Sequence, residues 1–291
     1  MHIKRTVWYT YKSSINESVY VDTFGSNYDT FIAVWTGSPN SLSPVVCNDD
    51  DSRGGMQSAL KFNVQSNVTY YIEVGEYDGY IVAPSSVNGT AKSEISNLAS
   101  SYLNFHITSF YDVPGKYWAW KYIEGIADAG VTTGCGGGNY CPQTLVGRDQ
   151  MAVFLLRAKY GSDYVPPKAT GVFADVPVTF WAADWIEQFA KEGITSGCGN
   201  NNYCPKNTVT RDQMAVFLLR AEHGSTYVPP KATGVFADVP VTYWAADWIE
   251  QLVKEGITSG CGNNNFCPSK AVSRDQMAVF LSRTFGLTPL P

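Results

Sequence analysis

No stretch of this 291-residue chain is long and apolar enough to span a bilayer as a helix. It also has no basic run. Its 21 Lys and Arg are outnumbered by 26 Asp and Glu, giving a formal net charge of −5 and a pI near 5.2. That balance argues against a nucleic-acid partner, because phosphate binding needs Lys and Arg gathered on one face. Histidine is scarce: His2, His106 and His223 have no partner visible in the sequence. The signatures GxSxG and HExxH and a phosphate-cradling glycine loop are all missing. The glycine-rich GCGGGN at 134–139 lies beside cysteines, not between a strand and a Lys/Ser helix, so no catalytic site is read. The opening MHIKRTVWYTYKSS carries charge with no apolar segment behind it and does not read as an intact signal peptide. Charged residues make up only 16% against 44% hydrophobic, which supplies packed cores and excludes wholesale disorder.

What is present is organised. Six of the seven cysteines fall in pairs, Cys135 with Cys141, Cys198 with Cys204 and Cys261 with Cys267, each inside GCGxxx[YF]CP. The short Gly/Asn-rich loop can fold back to join the sulfurs, which is worth roughly 2–3 kcal/mol per closed loop. Zinc is the alternative, but structural zinc sites favour four ligands in tighter pairs, and each copy offers two Cys and no nearby His. Disulfides would imply an oxidising, extracytoplasmic location. Cys47 is left over.

Residues 110–172, 173–235 and 236–291 align with a period of 63. Each opens with F[YA]DVP, runs through a Trp-rich stretch to GCG and CP, and ends in RDQMAVF. Two helices are expected per copy. The first spans Tyr243–Gly256 in the third copy, with Trp244, Trp248, Leu252 and Val253 at helical spacing, as are Ala245 and Ile249, and a left-handed stop at Gly256. The second starts at a capping box, Thr210 with Gln213 and Ser273 with Gln276, which Gly147 weakens in the first copy. Met214, Phe217, Leu218 and Ala221 then form an apolar stripe. A two-helix unit cannot bury such faces alone, whereas three copies can share a core. The intervening YVPPKATG reads as an extended linker.

The second helix places Arg148, Arg211 and Arg274 in its first turn, where the helix dipole mildly disfavours a cation. Two readings are open. Each arginine can pair with the following Asp149, Asp212 or Asp275 and face solvent, or guanidinium and exposed first-turn N–H groups can converge on an anion. Trp118, Trp181 and Trp244 can be core or can stack on sugar rings; Trp120, Trp185 and Trp248 are read as core.

Residues 1–109 hold short β-branched and aromatic runs separated by Gly, Asn, Ser and Pro, the pattern of an all-β sandwich or barrel. Residues 83–101 are polar and read as a long loop. Asp49, Asp50 and Asp51 are compatible with a calcium site or with a solvated turn. Asn16, Asn67 and Asn88 stand in N-x-[ST] sequons.

FADVP…WAADWIE…GIT followed by V[TS]RDQMAVFL resembles the S-layer homology domain, over roughly residues 110–291. The resemblance implies three α-helical repeats in a pseudo-threefold cluster whose grooves bind an anionic cell-wall polysaccharide. The implied groove residues are Arg148, Arg211, Arg274, Asp112, Asp175, Asp238, Trp118, Trp181 and Trp244. The family's usual Glu after the arginine is replaced by Gln150, Gln213 and Gln276, and the paired cysteines are not part of its common pattern. VWYTY, VDTFGSNYDTFIAVWTG, CNDDDS and TYYIEVGEY in residues 1–109 resemble the bacterial pre-peptidase C-terminal domain, a jelly-roll-like β-sandwich appended to secreted hydrolases. In that family a strand carrying a partner for Cys47 often precedes the VWY phrase.

The expectation is therefore a multidomain, non-catalytic, extracellular surface protein: a β-sandwich over 1–109 and repeats over 110–172, 173–235 and 236–291. Two alternatives accompany it. A sandwich lacking its first strand could be completed by another copy of the chain, making a filament or sheet subunit. Or the chain is the accessory part of a secreted hydrolase.

Overall fold

The computed structural model describes residues 4–53, 55–77 and 102–287. The expected loop at 83–101 and the sequon at Asn88 lie outside the described residues. The chain divides into two compact units, Met1–Trp120 with Gly134–Tyr140, and Lys121–Thr133 with Cys141–Pro291.

The first unit holds two antiparallel sheets, built from the short β-branched and aromatic runs of residues 1–109. One sheet has the order β1 (Lys4–Lys12), β6 (Thr69–Glu76), β3 (Thr30–Ser38), β4 (Ser41–Asn48); the other is β5 (Ala59–Val64), β2 (Glu17–Asp22), β7 (His106–Thr108). The inner faces meet through Val19, Val21, Ile32, Val34, Leu60, Phe62, Ile72 and Val74. Strand β3 is apolar on both faces because both are covered. Its other side, Phe31, Ala33 and Trp35, packs with Trp8, Leu42, Tyr71 and Tyr77. Glu73 shares that second face, 3% exposed, and accepts a 3.2 Å hydrogen bond from Trp35 Nε1. Burial pushes its carboxyl up to about 7, against the pull of the Trp35 donor.

The helices among the described residues are α1 (Trp120–Asp128), α2 (Arg148–Tyr160), α3 (Ala183–Lys191), α4 (Arg211–His223), α5 (Ala246–Lys254) and α6 (Arg274–Phe285). The repeats close on one another through the backbone. Val146 N–H donates to Val272 O, Val272 N–H to Val209 O and Val209 N–H to Val146 O, each at 2.9 Å. All three valines are fully buried. A cycle of three equivalent bonds requires three equivalent copies, which is the pseudo-threefold arrangement expected for the repeats. Met151, Leu155, Met214, Leu218, Met277 and Leu281 are fully buried on the helices that leave this ring, and these helices are covered nearly all round rather than along one stripe.

Helices α3 and α5 start later than the spacing suggests: Trp244 precedes α5, and Ala246, Ile249 and Leu252 form its buried side. Trp120, Trp185 and Trp248 are half-buried rather than core. Gly256 takes φ +74°, as its place after the helix demands. The cysteine pairs are disulfides, Cys198 to Cys204 and Cys261 to Cys267, with Cys135 and Cys141 also disulfide-bonded.

The proline-rich linkers are strapped to the helix that follows. Glu187 accepts backbone N–H bonds from Thr170, Gly171 and Val172 at 2.6–2.9 Å, and Asp184 accepts Ala169 N–H at 2.8 Å and Lys168 Nζ at 2.9 Å. Glu250 and Asp247 do the same for Thr233, Gly234, Val235, Ala232 and Lys231. Partial burial raises the carboxyls of Glu187 and Glu250, but the converging backbone donors outweigh it and both end below the ordinary range.

Two pH effects of opposite sign follow. A carboxyl lowered on folding stabilises above its unfolded value and loses that contribution as pH falls through the folded one. The double variant Glu187→Gln, Glu250→Gln should therefore be less stable than wild type at neutral pH, with the gap closing between about pH 5 and pH 3 in denaturant titrations. Glu73 behaves conversely. Its folded state holds the proton more tightly, so stability falls as pH rises from about 4.5 to about 7. Glu73→Gln should stabilise the sandwich above pH 7 relative to pH 4.5, by on the order of 2–3 kcal/mol at most; a pH-independent difference would contradict the assignment.

Candidate groove site

The arginines do not sit as either sequence reading placed them. Arg148 and Arg211 are each 4% exposed, and Arg274 is 3% exposed. Each reaches out of its own repeat: Arg148 Nε donates to Tyr203 O and Arg211 Nε to Phe266 O, both at 2.8 Å. The guanidinium carbons lie 4.7 Å from the centroids of the Tyr203 and Phe266 rings. Arg274 lies over Phe154 of the first copy at 5.2 Å. Burial pulls the Arg148 and Arg211 guanidiniums below their ordinary value, far from neutrality at pH 7. The carbonyl partners give these cations hydrogen bonds without cancelling their charge, and Arg211 Nη2 is buried with no acceptor.

The helix N-termini are not open anion sites. The first-turn N–H groups of Arg148, Arg211 and Arg274 donate to Asn207 O, Lys270 O and Thr144 O at 2.9–3.0 Å. Those of Asp149, Asp212 and Asp275 donate to Pro205 O, Pro268 O and Pro142 O at 3.0 Å. The third donor in each turn, on Gln150, Gln213 or Gln276, is taken by the Oδ1 of the preceding aspartate. The expected capping boxes at Thr210 and Ser273 do not form, because those hydroxyls donate to Asp212 and Asp275. The physical reason is the ring: closing three repeats brings the next copy's carbonyls onto the dipole's positive end.

The residue after each arginine gathers the side chains around the helix start. Asp149 is buried, and its Oδ2 accepts Trp181 Nε1 at 3.2 Å and Lys206 Nζ at 3.0 Å. Asp212 Oδ2 accepts Trp244 Nε1 at 3.1 Å and Tyr243 Oη at 2.6 Å. Asp275 Oδ2 accepts Gln143 Nε2 at 2.9 Å. The Trp181 and Trp244 indoles are pinned by their N–H edges yet remain largely exposed, 57% and 59%; Trp118 is 59% exposed. The surroundings of Asp149 and Asp212 differ, since Ser269 stands at the position that matches Lys206.

The opening aspartates serve the disulfide loops. Asp175 accepts backbone N–H from Tyr203 and Cys204, both at 2.7 Å; Asp238 accepts from Phe266 at 2.8 Å and Cys267 at 2.7 Å; Asp112 accepts from Tyr140 at 2.7 Å. The bonds from Asp175 and Asp238 hold Cys204 and Cys267 at φ +59°, a left-handed conformation uncommon for a side-chain-bearing residue, which Cys141 also adopts. Sequence reading missed Asp149, Asp212 and Lys206 as groove residues; the signal available was the invariance of the RD pair across the copies.

Elsewhere, Asp51 pairs with Arg53 at 2.8 Å and Asp49 Oδ1 accepts Asp50 N–H at 3.0 Å. His106 and His223 do have partners, Asp22 at 3.0 Å and Glu255 at 2.9 Å. Cys47 is a free, exposed thiol. No helix among the described residues is long and apolar enough to cross a membrane.

A family model described as the S-layer homology domain matches residues 109–152, 173–215 and 235–278. Among relatives, an amylopullulanase of Thermoanaerobacterium thermosulfurigenes is 24% identical over 272 residues, 92% of this chain and 13% of that protein. S-layer protein EA1 of Bacillus anthracis is 30% identical over 176 residues, 60% of this chain and 20% of that protein. Exoglucanase XynX of Acetivibrio thermocellus is 28% identical over 60% of this chain and 16% of its own length. The chain thus spans about a fifth or less of the length of these relatives. With the closed valine ring and the match in all three copies, the segments 109–152, 173–215 and 235–278 are three tandem S-layer homology domains.

Proposed function

We propose that the chain is a non-catalytic anchoring module that holds its protein on an anionic cell-wall polysaccharide. Its S-layer homology domains, and relatives named as surface-layer proteins, put it at the cell surface or cell wall. Its disulfides agree with an extracytoplasmic setting.

The observation that carries the reading is the pair of edge-pinned, exposed indoles beside buried arginines whose charge no carboxylate hydrogen bond neutralises. Sugar rings stack on Trp181 and Trp244. Lys206 meets an acidic substituent in the first groove, and Arg148 and Arg211 contribute positive potential from below. Arg274, Trp118 and the aspartates Asp112, Asp175 and Asp238 complete the binding set, the aspartates by holding the loops in place.

Retention on purified cell-wall sacculi tests this, with and without acid extraction of the secondary polymer. Trp181→Ala with Trp244→Ala should cut retention about tenfold or more, from roughly 1 kcal/mol per lost ring contact. Lys206→Ala should weaken binding and flatten its salt dependence. Arg148→Ala, Arg211→Ala and Arg274→Ala should also lose stability, since each removes a buried partner. Unchanged retention in the folded tryptophan variant would overturn the proposal.

A second reading is favoured by one observation. Cys47 is exposed on β4, an edge of its sheet, beside a row of backbone groups that another copy could pair with. Self-association into a filament or surface layer is compatible with anchoring, and a thiol-sensitive dimer on non-reducing gels is its expected mark. The amylopullulanase and exoglucanase relatives support a third context, in which the same module serves a hydrolase.

A further inference from the structure

The repeats contain an internal control for a feature unrelated to the groove. At the junction of α2 and α3, Lys159 Nζ donates to Glu192 Oε2 at 2.9 Å, a closed ion pair between two repeats. Tyr160 stands beside it, stacked on Tyr164 at 4.6 Å, and Gln188 Nε2 donates to Glu192 Oε1 at 2.8 Å.

The equivalent junction of α4 and α5 keeps the scaffold and changes two side chains. Glu255 takes the place of Glu192, Gln251 Nε2 donates to its Oε1 at 2.6 Å, and Tyr227 stacks on the neighbouring ring at 4.4 Å. Lysine and tyrosine, however, have become Glu222 and His223. His223 Nε2 lies 2.9 Å from Glu255 Oε1 and 3.8 Å from Glu222 Oε2, and one donor atom from each of the three falls within 4.8 Å of the others. Among the described residues this is the one such grouping of His, Cys, Asp and Glu. Glu255 Oε2 is out of solvent with no hydrogen-bond partner.

From this juxtaposition we infer that Glu222, His223 and Glu255 form a divalent transition-metal site, of the zinc class, that clamps the second repeat to the third. The chemistry is consistent. Two carboxylates and one neutral imidazole carry the charge a divalent cation needs, and their separations suit ligand distances of about 2.0–2.2 Å after small rotations. Three protein ligands leave a fourth position for water at the exposed rim. Gln251 orients the Glu255 carboxylate, and Tyr227, itself edge-on to Trp248 at 6.1 Å, fixes the imidazole plane. The metal takes the place that the Lys159 ammonium holds one repeat earlier.

The test uses the full chain carrying Cys47→Ser, which removes the free thiol as a competing ligand. Zinc chloride is titrated calorimetrically at about pH 7.5, with calcium and magnesium chlorides as parallel arms. The reference variant is Glu222→Lys with His223→Tyr, which installs the pair that the same scaffold already carries at 159 and 160, so it should fold. Expected is one zinc per chain with micromolar affinity and a rise in Tm, both reduced at least tenfold in the variant. Three results would each overturn the inference: no saturable zinc binding in the parent, equal binding in the variant, or calcium bound in preference to zinc.

Discussion

Three valines exchanging backbone hydrogen bonds set the terms for the helical unit. The Val146–Val272–Val209 cycle has no free end, so each repeat's second helix must start where the next repeat's loop finishes. Everything distinctive about the grooves follows from that closure. The first-turn amides are consumed by carbonyls of the adjacent copy, and the arginines are drawn across the junction to Tyr203 O and Phe266 O. The unusual placement of a cation in a first helical turn becomes intelligible: the side chain leaves its own helix and is stabilised by the neighbour's carbonyl and aromatic face rather than by its own dipole.

Each helix start therefore carries two kinds of side chain: a buried, charged guanidinium, and the following aspartate, which in the second and third copies fixes the N–H edge of an exposed tryptophan, Trp181 by Asp149 and Trp244 by Asp212. In the proposed binding mode, a sugar ring would meet an indole whose orientation is already set, which lowers the ordering cost of binding. The disulfide loops and the aspartates Asp175 and Asp238 hold the ring that each arginine lies against, so covalent and hydrogen-bonded constraints converge on one contact.

The legible part of the sequence was what repeats at a fixed offset. Period, helix pairs, cysteine pairs and the strand-rich first 109 residues depend on local pattern, and the architecture follows from them. The partners of Arg148 and Arg211 were not legible, because they are main-chain carbonyls 55 positions away, brought close by ring closure alone. The same holds for His223, whose partner Glu255 lies 32 residues on and on another helix. Trp120, Trp185 and Trp248 read as core by spacing, yet the smaller Ala183, Ile186 and Phe189 face of α3, and its counterpart on α5, took the interior. The Asp149 and Asp212 carboxylates are visible in the sequence, where pairing with the preceding arginine is one of two open readings; in the structure they hold Trp181 and Trp244 instead.

The central claim is that polymer contact runs through the exposed indoles. Indole N–H resonances of ¹⁵N-labelled protein, titrated with purified acidic cell-wall polysaccharide, test it most directly. The account predicts saturable shifts for Trp181 and Trp244, with Trp185 and Trp248 unmoved. Shifts confined to Trp185 and Trp248, or binding that leaves every indole signal in place, would contradict it.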